Sequence, residues 1–170
     1  MRRLVRPLSR LLAPLTLLAL AACAPAPIYK TSPNLVSAVP FQVASTPERY
    51  ANGHVIWGGR IVAVHNLADR SEIEVLAFPL DSSQRPQVGD SGNGRFIAVM
   101  HGFVEPMDYP EGALMTLTGT LAGSRAGKVG EADYVFPLVT VDQAHRWTQQ
   151  ELQSGRSNVH FGIGVGVGIH

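Results

Sequence analysis

The 170-residue sequence predicts an all-β fold, a small five- or six-stranded antiparallel barrel that follows a cleaved signal peptide and a flexible tether. Three observations point there. Five short apolar or alternating runs recur between turn-rich connections. No long helical period separates them. Glycines and a proline fall inside the runs, where a barrel needs bulges and bends. Closing such a sheet also removes most of the unpaired edges that an open one would expose.

In chain order, the first element is a signal. Arg2, Arg3, Arg6 and Arg10 precede an uncharged, mostly Leu and Ala run over residues 11–22. A basic start, a short apolar stretch and small residues before a cut site make a secretory signal. The run has 12 residues and contains Pro14. It is shorter than the roughly 20 apolar residues of a spanning helix. The sole cysteine, Cys23, follows Leu20-Ala21-Ala22 directly, the arrangement of a bacterial lipobox. Cleavage before Cys23 and acylation of that residue are therefore expected. Several acyl chains on one residue make a stable anchor, where a single chain binds only marginally. Ala24 stands where inner-membrane lipoproteins tend to carry aspartate, which favours the outer membrane. With one cysteine the domain has no internal disulfide.

Cleavage leaves 148 residues, enough for one domain with a real core. The signal takes four of the 14 basic residues, so ten remain against 13 acids and the mature charge is −3. That balance argues against nucleic acid as a partner and against binding acidic lipid by charge. Outer-membrane lipid held through Cys23 is the membrane partner expected, and no cofactor is expected beyond that covalent lipid.

Residues 23–45 read as the lipidated cysteine and an extended tether, since residues 24–40 hold four of the 12 prolines. The barrel domain is assigned to residues 46–153. Thr46-Pro47-Glu48 predicts a short helix that Gly53 ends. Strands are predicted over residues 55–65, 72–80, 95–101, 114–121 and 134–141. In the first, Gly58-Gly59 marks a bulge, a bend or a close backbone approach, and a bent strand can serve two sheets. In the second, Ile73, Val75 and Ala77 share one face, with Glu72 and Glu74 on the other. In the fourth, Met115, Leu117, Gly119 and Leu121 face one way, and Leu114 with three threonines the other. In the fifth, Pro137 calls for an edge or a bulge. Residues 81–94, 102–112 and 122–133 read as loops, and residues 143–152 as a short helix carrying Trp147. The tail, residues 154–170, ends with Phe161, Ile163, Val165, Val167 and Ile169 alternating with glycines. Its glycines lack the strand–turn–helix context of a nucleotide loop.

These residues carry a family resemblance. The chain resembles the Slp family of outer-membrane lipoproteins over roughly residues 50–147. The likeness rests on the lipobox cysteine, Trp57-Gly58-Gly59-Arg60-Ile61, and Glu74 through Phe78-Pro79-Leu80-Asp81. It continues through Gly94-Arg95-Phe96, His101-Gly102-Phe103-Val104-Glu105-Pro106, Tyr109, and Leu117-Thr118-Gly119-Thr120-Leu121-Ala122-Gly123. The resemblance implies a lipid-anchored domain facing the periplasm at the outer membrane, with an OB-like barrel. It implies no catalytic residues.

No residue cluster specifies a reaction. His54, His65, His101, His145, His160 and His170 form no HxxxH or HExxH pattern, and no second cysteine exists, so no metal site is expected. Ser82, Ser83 and Ser91 share a loop with Asp81 and Asp90 but lack a nucleophile elbow, and a turn explains them. Glu72 and Glu74 suit a wetted outer face better than paired acid–base work. Trp57 with Gly58 and Gly59 is the candidate ligand platform, and the favoured alternative places Trp57 in the core.

The leading functional expectation is a structural or interaction protein of the cell envelope, not an enzyme. The tail would add a strand to a partner's sheet edge, pack on its own barrel, or self-associate. The second expectation is an OB-like module for an envelope oligosaccharide or small ligand.

Overall fold

The computed structural model describes residues 26–89 and 91–154. Cys23 and the glycine-alternating tail lie outside the described residues. Five strands form the domain: β1 (His54–Asn66), β2 (Arg70–Ala77), β3 (Arg95–His101), β4 (Leu114–Val129) and β5 (Ala132–Arg146). They close in the order β1-β2-β3-β5-β4, with β4 returning to β1. All pairs are antiparallel except β3–β5, which is parallel from Ile97 opposite Leu138 to Val99 opposite Thr140. The sheet is therefore mixed, a correction to the all-antiparallel expectation. The parallel pair closes the five strands into a ring.

The glycine pair in β1 does what its position predicts. Residues 54–60 pair with β4, and residues 59–66 pair with β2. The strand thus changes partner at Gly59. A Cβ on Gly59 would run into the Leu76 carbonyl, and one on Gly58 would lie 2.7 Å from the Met115 carbonyl oxygen. Only bare backbone lets three strands meet there. The barrel interior is filled by alternate residues of every strand, among them Val55, Ile61, Ile73, Val75, Phe96, Met115, Leu117 and Val139, each nearly inaccessible. The Ile73, Val75 and Ala77 face is the buried one, as predicted.

Strands β4 and β5 are much longer than predicted. Residues 122–133 are not a loop but most of a hairpin arm that pairs to its tip, Val129 opposite Ala132. Gly130, with φ of 59°, opens the two-residue turn that Gly130-Glu131 makes. Pro137 sits opposite Ser124 beside a register shift between Leu121 and Ser124, the bulge its missing N–H requires. β5 then runs on to Arg146 opposite Met115, so residues 143–146 are strand rather than helix. The helix is only α2, Gln149–Ser154. Its start is a capping box: the Glu151 N–H donates to Thr148 Oγ1 (3.2 Å), and the Thr148 N–H donates to the Glu151 carboxylate (2.7 Å).

The extended tether is also corrected, because residues 26–45 pack along the barrel wall. Leu35 bridges to His54 in parallel, and α1 (Pro40–Ser45) buries Val43 in the core. The helix predicted from Thr46 is instead α1 plus a 3-10 turn over Pro47–Tyr50, with Pro47 in its first turn and no side-chain cap from Thr46. Ile28 and Tyr29 pack with Trp147 in a second apolar cluster. A polar junction locks this cluster. Tyr29 and Gln84 exchange two hydrogen bonds, the Thr116 hydroxyl donates to the Gln84 carbonyl (2.7 Å), and Trp147 Nε1 donates to Thr116 Oγ1 (2.9 Å). On the threonine face of β4, Thr116 is buried in this junction, and Thr118 is buried beside His54.

Candidate functional site

Trp57 lies at the β1 seam and is 6% exposed. Its ring tilts against Phe96 at 5.2 Å between centroids, and its Nε1 donates to the Ala38 carbonyl at 2.9 Å. The side chain therefore fills the core and ties the N-terminal segment down. Trp57 and Gly58 also floor a groove of about 460 Å³ between residues 35–40 and the β2–β3 connection. Gly59 is turned into the strand junction described above and does not line that groove.

A second, more polar cleft lies on the outer face of β2, under the β4–β5 arm. It encloses about 170 Å³ and is lined by His65, Glu72, Glu74, Ile97, Arg125, Gly127, Lys128 and Phe136. Alternation along β2 puts both glutamates on this face, and the arm brings the cations over them. Glu72, 6% exposed, receives Arg125 Nη1 at 2.8 Å and Arg70 Nε at 3.1 Å. Burial pushes its carboxyl up, but hydrogen bonds from Arg125 and Arg70 outweigh burial and hold it below the ordinary carboxylate range. Arg95 Nη1 lies 2.6 Å from Glu74 Oε1. A carboxylate held this way offers acceptors rather than a proton. The cleft thus sets fixed charged hydrogen-bonding groups beside the apolar edges of Ile97 and Phe136. Arg125 and Lys128 escaped sequence reasoning because residues 122–133 read as a loop, whereas Phe136 falls in the strand predicted over residues 134–141. The Gly130-Glu131 pair between two runs was the available signal.

The remaining candidates separate. His54 is hydrogen-bonded to Thr118 Oγ1 at 2.7 Å and lies 3.7 Å from Asp142. His145 stacks edge-on with Trp147, 3.2 Å from Glu151, and burial foremost lowers its pKa. Among the described residues no three metal-ligating side chains converge. Asp81 is a loop organiser: it accepts from the Ser83 hydroxyl (2.6 Å) and from the Ser83 and Arg85 N–H groups. No described helix is long and apolar enough to cross a membrane.

A closed ring of five strands with an N-terminal strap and two clefts defines the class: a small all-β domain. The chain belongs to the Slp family of outer membrane lipoproteins, whose model matches residues 20–163. That match extends beyond residues 50–147 at both ends and includes Cys23. Over 111 residues the chain is 37% identical to the Escherichia coli lipoprotein YeaY, itself uncharacterised, covering 64% of this chain and 57% of that protein. It is 44% identical over 92 residues to an uncharacterised Haemophilus influenzae protein, covering 54% and 50%. It is 27% identical over 124 residues to the Escherichia coli outer membrane protein Slp, covering 72% and 65%. The matched part thus spans half to two thirds of these relatives' lengths.

Proposed function

We propose that this lipoprotein is anchored by acyl groups on Cys23, holds its barrel on the periplasmic side of the outer membrane, and serves a structural or interaction role in the envelope. The family match through Leu20-Ala21-Ala22-Cys23 carries this reading. The packing of Ile28 supports it, because five extended residues reach at most about 18 Å. The barrel wall then stays close to the membrane surface. Feeding cells an alkyne fatty acid tests the anchor: the wild type incorporates label and fractionates with the outer membrane, and Cys23→Ala does neither. Protease should degrade the domain only after the outer membrane is permeabilised. An unlabelled wild type, or cleavage in intact cells, overturns the proposal.

The cleft under the arm favours a second reading, an oligosaccharide-binding module. It lies on a β2 face beside the β4–β5 connection, the region OB-like barrels use for such ligands. Calorimetry with envelope glycan fragments tests it. Binding that weakens at least tenfold in Arg125→Ala supports it, and no binding by the wild type removes it.

A further inference from the structure

The motif His101-Gly102-Phe103-Val104-Glu105-Pro106 opens the β3–β4 connection, and packing accounts for only part of it. Gly102 adopts φ of 72°, and its carbonyl accepts the Ser71 hydroxyl at 2.8 Å. Val104 is buried. Its N–H donates to Ser71 Oγ (2.9 Å) and Asn66 Oδ1 (3.3 Å), and its carbonyl accepts from Asn66 Nδ2 (3.0 Å). The backbone is therefore pinned on both sides of Phe103, yet the Phe103 side chain is 69% exposed. Met107 follows at 83% exposure, inside two overlapping turns and ahead of Tyr109, which packs on the core. Leu67, on the neighbouring β1–β2 connection, is 44% exposed, and the Gly102 N–H reaches the Asp69 carbonyl there at 3.4 Å. Large apolar groups held rigidly in water on two cross-linked loops mark an interaction surface, because nothing in the domain itself gains from displaying them.

The charge around them selects the partner. Asp69, Glu105, Asp108 and Glu111 are all exposed on these two connections. The one lysine or arginine there, Arg70, is engaged by Asp69 at 3.2 Å and Glu72 at 3.1 Å. Residues 66–70 and 101–113 together carry four acids and one arginine, a formal −3, which equals the charge of the whole mature chain. The rest of the mature chain balances nine acids with nine lysines and arginines, so its net negative charge is gathered at this tip. An anionic lipid surface repels such a tip. A protein with an apolar hollow bordered by lysine and arginine matches both its aromatic–methionine centre and its rim.

We propose that the Phe103–Met107 tip docks on an envelope protein of that chemistry; the inference rests on the interaction reading above and names its surface. The test places a photo-crosslinking residue at Met107 in the full-length lipidated protein in cells, with Val88, exposed on another connection, as control. The expected result is one discrete protein adduct from position 107. The adduct should map beside lysine or arginine in the partner. It should fall at least tenfold with Phe103→Ser, and equally with Glu105→Lys/Asp108→Lys/Glu111→Lys. An unchanged melting temperature shows that Phe103→Ser still folds. An adduct indifferent to both changes, or one to lipid or to a second copy of the chain, overturns the proposal. Amine crosslinking of the wild type separates the two levels. Complexes there with no adduct from position 107 sink the tip alone, and no complexes by either route sink the interaction reading with it.

Discussion

Trp57 and its glycine neighbours could be read two ways from sequence, because a large ring beside bare backbone serves a ligand or a core equally well. Burial settles what the ring does in this fold. It touches Phe96, spends its N–H on the Ala38 carbonyl, and leaves 6% of its surface accessible. Trp57→Ala should cost about 3–5 kcal/mol, the range for truncating a large buried aromatic. Urea denaturation measures it, and a loss under about 1 kcal/mol would place the ring outside the core. Gly58 and Gly59 were legible as a close approach because interior strand glycines have few other uses. Phe103 is visible in the sequence as an aromatic of the family motif, but not as an exposed one. Its exposure depends on Asn66 and Ser71, which come from a different pair of strands.

Strands whose apolar residues are dense or alternate are legible in the sequence. β1 and β3 match their predicted bounds to within a residue, and the apolar face of β2 is the buried one. The longer elements were missed where pairing, rather than side-chain pattern, makes the strand. The arm over residues 122–133 is polar and exposed, so no alternation marks it, and the ladder from Ser124 to Val129 holds it. The Thr148-x-x-Glu151 box was a readable start for α2, hidden by extending a helix across β5. The N-terminal strap escaped because proline-rich composition resembles a linker. Its burial rests on Ile28, Tyr29 and Val43, each about 1.5–3 kcal/mol when fully covered. A chain beginning at residue 46 should therefore lose at least about 3 kcal/mol of stability. Equal urea midpoints for the two chains would return residues 26–45 to the status of a tether.

For the whole molecule, stability should depend on pH in two windows. Burial holds the folded His145 below the ordinary histidine value, so between that value and the folded one the unfolded chain binds more protons. Stability is then full above about pH 6.5 and falls as pH drops below it. Glu72 and Asp81 are both lowered. Burial opposes the shift, and hydrogen bonds from Arg125 and Arg70, or from Ser83 and Arg85, overcome it. Their contribution is present above the ordinary carboxylate range and is lost below about pH 4. Melting temperatures from pH 8 to 3 should show both declines, and His145→Gln should remove the upper one alone. By itself the sequence determined the all-β class, the close approach at Gly58-Gly59 and the inward rows of β2. Each is written in local order: apolar runs between turns, a glycine pair, a period of two. Tertiary structure decided the parallel closure of β3 on β5, the strap on the wall, the cation clamp over Glu72 and the acidic tip at Phe103. These join residues tens of positions apart, and no local period records which distant backbone or side chain will lie opposite.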